Sequence, residues 1–284
     1  MTAKVISFIN MKGGVGKTTL CLEIANFLAN KKSEHSEKNY RVLLIDIDPQ
    51  ANLTQALNEH YFPQKEKFDK SIEVIFNKKP EGFNPGDVIV QLEKNIDLIP
   101  GELETIFLER SSGNSTSQKL LDFIIDYKIR NNYDFIMIDC PPTYSIYTET
   151  ALFISDYYFV PVIPDKYSTL GVDLLERVVH DIVDNNRNSV FKNRSPKNMG
   201  IIFTRVSDEK PKQKIYMSAL RKSDIVKQNE LTVFDDKQNF KEYNKLSTFE
   251  LGKFVTDTND HRLKEMVDRI GKKFLERIQL LEKS

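Results

Sequence analysis

Met11-Lys12-Gly13-Gly14-Val15-Gly16-Lys17-Thr18-Thr19 leaves this chain few ways to fold. The apolar run Val5 to Ile9 leads into it, and an amphipathic segment opens near Lys17. Strand, glycine-rich turn and helix, in that order, are the setting of a phosphate-binding loop. Glycines let backbone N–H groups turn inward with no Cβ in the way, and the helix N-terminus adds partial positive charge. Lys17 is then placed to reach β- and γ-phosphates, and the Thr18 hydroxyl to ligate Mg²⁺.

Downstream, apolar strands alternate with helical patterns to the end of the chain. That alternation predicts an α/β fold: a mostly parallel twisted sheet with helices on both faces. The 284 residues fit a single domain, 1–284, with a sizeable core. Leu20, Ile24, Phe27 and Leu28 mark one face of the first helix, and the polar run Lys32 to Asn39 reads as a loop. Arg41 to Gln50 forms the second strand and its exit. Asp46 and Asp48, two apart, project from one side of its C-terminal end, where open α/β sheets bind ligands. A carboxylate there holds Mg²⁺ through water, orients an attacking water, or merely caps the next helix. Asp134 to Pro142 is a third such strand, ending in Asp139 and a double proline. Asp139 would reach Mg²⁺ through its coordinated water.

Between Asn58 and Ser117 the pattern is broken by Pro63, Pro80, Pro85 and Pro100. Asn95 to Gly101 reads as a short strand, Glu102 to Arg110 as a helix and Ser111 to Ser117 as a polar loop. Gln118 to Arg130 reads as a helix with Leu120, Leu121, Ile124 and Ile125 inward. Strands follow at Tyr157 to Pro164 and Met199 to Arg205. Between them Leu174, Leu175, Val178, Val179, Ile182 and Val183 face the core. Leu263, Val267, Ile270, Phe274, Ile278 and Leu281 stripe a final helix, about 260–282.

Lysine with arginine and aspartate with glutamate both number 41, so no global field selects a nucleic acid. A nucleic-acid surface must be a local patch. Within 205–246 the candidates are Lys210, Lys212, Lys214, Arg221 and Lys222, then Lys241 and Lys245. Acids are mixed among them, so a solvated charged face competes with that reading. The two cysteines, Cys21 and Cys140, form no metal-binding spacing and read as buried thiols. No apolar run approaches a membrane span, and a reducing cytoplasm is the simplest compartment.

A lysine, Lys12, stands before the double glycine, with Met11 where the common phosphate loop has glycine. With the acid-ended strands at Asp46-Ile47-Asp48 and Asp139 in the right order, this resembles the deviant Walker A motif of the ParA/MinD family of ATPases. The resemblance runs from Val5 to about Gly171, more loosely beyond. It implies ATP and Mg²⁺ as cofactors. It also implies a nucleotide-sandwich homodimer in which Lys12 reaches the partner's phosphates, and weak intrinsic ATP hydrolysis. By resemblance the nucleotide is bound by Lys12, Gly13, Gly14, Val15, Gly16, Lys17, Thr18 and Thr19. Thr18, Asp46 and Asp139 serve the metal, and Lys12, Lys17 and Asp48 serve catalysis, Asp48 on the attacking water. Thr204 and Arg205 fall where the family lines its adenine pocket, although a plain surface arginine fits Arg205 as well. The biological role implied is plasmid or chromosome partition: ATP-bound dimers on non-specific DNA at the nucleoid, released by a small centromere-binding adaptor. Only ten residues precede Met11, so a leading sequence-specific DNA-binding segment is not expected. A membrane-positioning role of the MinD kind is the alternative. Acids on the polar face of the final helix (Glu265, Asp268, Glu276, Glu282) argue against it and for a helix packed on the sheet.

Overall fold

The computed structural model describes residues 2–33, 36–77, 82–93, 95–103, 116–207, 209–234, 240–241 and 253–283. In chain order its main elements are β1 (Lys4–Phe8), α1 (Lys17–Ala29), β2 (Val42–Asp46), α2 (Asn52–Tyr61), α3 (Glu73–Phe76), β3 (Val90–Glu93) and β4 (Ile96–Ile99). Then come α4 (Lys119–Asp126), β5 (Phe135–Asp139), α5 (Ile146–Ile154), β6 (Tyr157–Val162), α6 (Ser168–Asn185) and β7 (Lys197–Val206). The last are α7 (Pro211–Lys222), α8 (Asp224–Gln228), β8 (Phe240–Lys241) and α9 (His261–Lys283).

One sheet runs β3-β4-β2-β5-β1-β6-β7-β8. Every neighbouring pair is parallel except β3 with β4 at one edge. Both faces of the central strands are covered, which is why they read as unbroken apolar runs. Ile6, Phe8, Leu44 and Met137 look toward α1 and α9, whereas Val5, Leu43, Ile45, Ile136 and Ile138 look toward α4 and α5. A third cluster closes α6 and α7 over β6 and β7 through Val160, Ile201, Val172, Leu175, Met217 and Leu220.

The first helix is not the one-faced element that its apolar spacing predicts. Leu20, Cys21, Leu22, Ile24, Ala25, Leu28 and Ala29 are all buried. The reason is α9, which packs on the sheet beside α1 and covers its flank. Its stripe of Leu263, Val267, Ile270, Phe274 and Ile278 is buried, Phe274 stacks on Phe8 at 6.4 Å, and Arg277 Nε donates to the Met199 carbonyl at 2.9 Å. Gly271 makes the approach possible: a Cβ there would come within 2.3 Å of the Phe27 ring.

Other expectations shift in detail. The helix expected over Gln118 to Arg130 stops at Asp126, because Lys128 turns left-handed (φ 52°) and a 3₁₀ turn carries Ile129 under the sheet. Phe123 then takes the inward position and Ile125 is 61 % exposed. In α6 the phase set from Ser168 buries Val172 and leaves Leu174 half exposed. The edge strand β3 is hidden in the sequence by its alternation of exposed polar and half-buried apolar residues. Of the helix expected over Glu102 to Arg110, residues 104–110 lie outside the described residues, as does most of the loop after it.

A short segment before α9 docks onto α1 through polar contacts. Asn26 Nδ2 donates to Thr256 Oγ1 at 2.9 Å, and the Val255 N–H donates to Glu23 Oε1 at 2.9 Å. Glu23 Oε2 has no hydrogen-bond partner among the described residues. Burial pushes the Glu23 carboxyl up to about 8, opposed by the Val255 N–H and reinforced by Asp257. The folded state therefore keeps a proton that the unfolded chain releases near its ordinary value of 4.5. Stability from this group is full at acid pH and falls as pH rises toward 8, at about 1.4 kcal/mol per pH unit at most. Glu23→Gln keeps the acceptor for Val255 and removes the titration. Thermal melts between pH 5 and 8 should show the variant holding its Tm across the range where the parent loses several degrees.

Candidate functional site

The C-terminal ends of β1, β2 and β5 meet at one edge of the sheet. Register fixes this: Phe8 pairs with Asp139, and Asp139 with Asp46. The loop between β1 and α1 sits over that edge. Gly14 (φ 69°) and Gly16 (φ 86°) adopt left-handed backbone, which explains glycine at those positions. Gly16 caps α1, and its carbonyl accepts the Leu20 N–H. The loop is gripped from outside by the end of β7. Thr204, fully buried, donates its hydroxyl to the Val15 carbonyl at 2.7 Å, and Arg205 Nη1 makes a longer bond to the Gly14 carbonyl at 3.4 Å. Arg205 thus reaches the phosphate loop itself.

The two lysines of the loop part company. Lys17 is buried; burial draws its pKa down, and Asp139 foremost among its neighbours pushes it back. Lys12 is exposed at the rim, where its ammonium pairs with Asp165 just before α6. Partial burial works to raise Asp165, but the Lys12 ammonium, the Tyr167 N–H and the Ser168 hydroxyl hold it below the ordinary carboxylate range. The backbone N–H of Lys12 donates to Asn10 Oδ1 at 2.8 Å, and Asn10 Nδ2 donates to the Pro161 carbonyl at 2.7 Å.

The three acids are also unequal. Asp46 is wholly buried and its oxygens are in use. Oδ2 accepts the Thr54 N–H (2.8 Å) and hydroxyl (2.7 Å), and Oδ1 accepts the Asp48 N–H (3.2 Å). Burial pushes it up to about 7, with the Thr54 bonds restraining the rise. Asp48 begins the turn into α2 and its Oδ1 accepts the Gln50 N–H at 2.9 Å; Ala51, at φ 51°, completes that turn. Asp139 is wholly buried, yet neither oxygen has a well-formed hydrogen bond among the described residues. Burial and then the charge of Asp46 drive its pKa far up, against the Thr18 hydroxyl and Lys17.

A buried carboxylate without partners is costly unless a cation or donor supplies them. The Asp139 oxygens beside Thr18 therefore fit the water shell of a hard divalent cation. Among the described residues no group of three or more His, Cys, Asp or Glu would hold such an ion alone. Ligand oxygens would have to complete its shell, as phosphates do for Mg²⁺. The edge thus combines a glycine loop at a helix N-terminus, a buried lysine, a buried carboxylate with no well-formed hydrogen bond and an acid that opens a turn. That set can bind a polyphosphate and its cation, and place a water beside it.

Of the basic residues, Lys210, Lys212, Lys214 and Lys222 are exposed on and before α7. Arg221 does not join them: its guanidinium lies over Phe203 at 5.1 Å and Nη2 donates to the Phe234 carbonyl at 3.2 Å. Lys241 belongs to β8, with its side chain outside the description, and Lys245 lies outside the described residues. Both thiols are buried, as their apolar surroundings imply. No helix among the described residues is long and apolar enough to cross a membrane.

Sequence reasoning missed Thr54 as a site residue, since nothing in its spacing marks it. Its hydroxyl links three elements: it donates to Asp46 and accepts the Gly101 N–H at 2.7 Å, tying the start of α2 to the end of β4. Thr54→Val strands a buried acceptor and a donor, at a cost of about 1–3 kcal/mol. Urea titration should show that loss, and Thr54→Ser should recover most of it.

An AAA-domain family model (AAA_31) matches residues 3–192. An uncharacterised protein of Methanocaldococcus jannaschii is 32% identical over 206 residues, covering 72% of this chain and 74% of its own. The sporulation initiation inhibitor protein Soj of Bacillus subtilis is 32% identical over 177 residues, 62% of this chain and 64% of Soj. Among solved structures, a Borrelia burgdorferi protein assigned to plasmid partition and bound to AMPPNP superposes with a TM-score of 0.72 at 24% identity, over 100% of both chains. That structural likeness speaks for the fold; the family match and the sequence relatives speak for descent. The chain belongs to the ParA/MinD-type P-loop ATPases.

Proposed function

We propose that this chain is a partition ATPase that binds ATP with Mg²⁺, pairs face to face with a second copy across two nucleotides, and hydrolyses ATP slowly. The observation that carries the reading is the separation of the two loop lysines. Lys17 is buried against Asp139, inside its own site, whereas Lys12 stands at the exposed rim. A lysine at the rim is available to a second molecule's phosphates once it leaves Asp165.

In this reading the backbone N–H groups of Gly13 to Thr19 hold the phosphates. Lys17 in cis and Lys12 in trans balance the charge that develops on the transferred group. Mg²⁺, when bound, neutralises the β- and γ-oxygens. Thr18 and Asp139 would hold it, Asp139 through water; Asp46, which the resemblance gave to the metal, has its oxygens taken by Thr54 and the Asp48 N–H and would keep the surrounding acids in register instead. Asp48 orients the attacking water, because its turn leaves one carboxylate oxygen unused by the Gln50 N–H. Arg205, with Thr204 beneath the loop, lines the adenine pocket; its bond to the Gly14 carbonyl, beside the phosphates, supports that reading. Lys210, Lys212, Lys214 and Lys222 form the core of a non-specific DNA surface, extended by Lys241 and Lys245. A small centromere-binding adaptor stimulates turnover. The relatives support this role by their names alone. A MinD-like membrane role would need the apolar stripe of α9, and that stripe is spent on α1 and the sheet.

Lys12→Ala should keep measurable ATP binding and lose ATP-induced dimers in analytical ultracentrifugation; dimers at the parental level would sink the trans-lysine assignment. Asp48→Ala should bind ATP, trap the dimer and lower phosphate release by about 100-fold or more. Unchanged release would move the water-orienting role to another residue.

A further inference from the structure

The turn that leaves β7 is held by one side chain from the helix that carries the exposed lysines. Arg205 lies at φ 50°, left-handed backbone that costs a non-glycine residue about 1 kcal/mol or more. Such a conformation persists only where its surroundings hold it. Gln213, in the first turn of α7 and 7% exposed, does so with both ends of its amide. Its Nε2 donates to the Arg205 carbonyl at 3.1 Å, and its Oε1 accepts the Ser207 N–H at 2.8 Å. The Gln213 backbone N–H donates to the Lys210 carbonyl at 2.9 Å. On the other side of the turn, Thr204 and Arg205 bond to the carbonyls of Val15 and Gly14. A continuous chain of hydrogen bonds therefore runs from the phosphate loop, through a strained turn, to the start of α7.

We infer that Gln213 is a positioning residue that couples α7 to the phosphate loop, so that a nucleoside diphosphate or triphosphate in the loop orders α7. This rests on the nucleotide reading of the loop given above. The element with two arrangements is the Arg205 backbone. With Gln213 bonded it is left-handed and its guanidinium lies on Gly14; without Gln213 it relaxes to negative φ and the guanidinium leaves the loop. A ligand that fixes the loop carbonyls favours the first arrangement, and Gln213 carries that preference into the first turn of α7. Coupling is reciprocal, so whatever engages Lys212 and Lys214 on α7 shifts nucleotide affinity by the same factor.

Amide hydrogen exchange on the full chain with and without ADP tests this. ADP fills the loop without offering a γ-phosphate to a second copy, which keeps dimer formation out of the readout. In the parent protein, ADP should slow exchange in peptides covering 13–19, and in those covering 204–207 and 211–218, by about fivefold or more. In Gln213→Leu the protection at 13–19 should remain, while that at 211–218 falls below about twofold, with a weaker ADP affinity by a similar factor. Gln213→Glu keeps the acceptor for Ser207 and loses the donor to Arg205. It should behave like the leucine variant, and it guards against a result caused by misfolding. Equal protection of 211–218 in parent and variants, or protection in the parent confined to 13–19, overturns the coupling and leaves the nucleotide reading standing. No protection at 13–19 in the parent overturns both.

Discussion

The whole arrangement turns on a charge imbalance buried at one sheet edge. Lys17 faces Asp139 and Asp48, and Asp46 crowds Asp139, all of them buried. One ammonium cannot balance three carboxylates away from water. The fold relieves part of the strain with Thr54, whose N–H and hydroxyl satisfy Asp46. It leaves the rest at Asp139, whose oxygens have no well-formed hydrogen bond among the described residues. A site left short of positive charge in this way is prepared for a cation, and the neighbouring loop is prepared for the polyanion that brings it.

Holding those acids in place requires that β1, β2 and β5 end at the same level and that α1 not move. Parallel pairing meets the first need, through Phe8 with Asp139 and Asp46 with Asp139. Enclosure of α1 meets the second. The helix is packed on the sheet and flanked by α9, with Gly271 allowing the close approach and Phe274 reaching Phe8. A helix packed on several sides transmits little slack to its N-terminus, where the phosphate loop begins. The final helix therefore belongs to the site's support although it lies far from the chemistry in sequence.

The sequence alone was enough for the fold class and the phosphate loop, because both depend on local facts. Glycines at positive φ, apolar strands covered on both faces and acids at strand ends are written in neighbouring residues, and Gly14, Gly16, Asp46 and Asp139 stand where their motifs place them. Helix limits were less legible. Ile125 and Leu174 are apolar at helical spacing, yet each helix's phase was set by where it began or broke, at Lys128 and Ser168, and both side chains face outward. Burial of α1 along the flank that α9 covers could not be read from its own residues either. It depends on a helix more than two hundred positions later.

What only the tertiary structure decided is which polar groups are spent and which remain. Asp46, Asp48 and Asp139 look alike as strand-end acids; Thr54 makes the difference between them, and Thr54 carries no motif of its own. Lys12 and Lys17 look like a pair on one loop, but Asp165 takes one outward and the acids take the other inward. Arg221 counts as a basic residue in sequence and is a packing residue over Phe203 in space. Residue type and spacing carry local geometry, whereas hydrogen-bond partners and desolvation are set by segments that meet only when the chain folds.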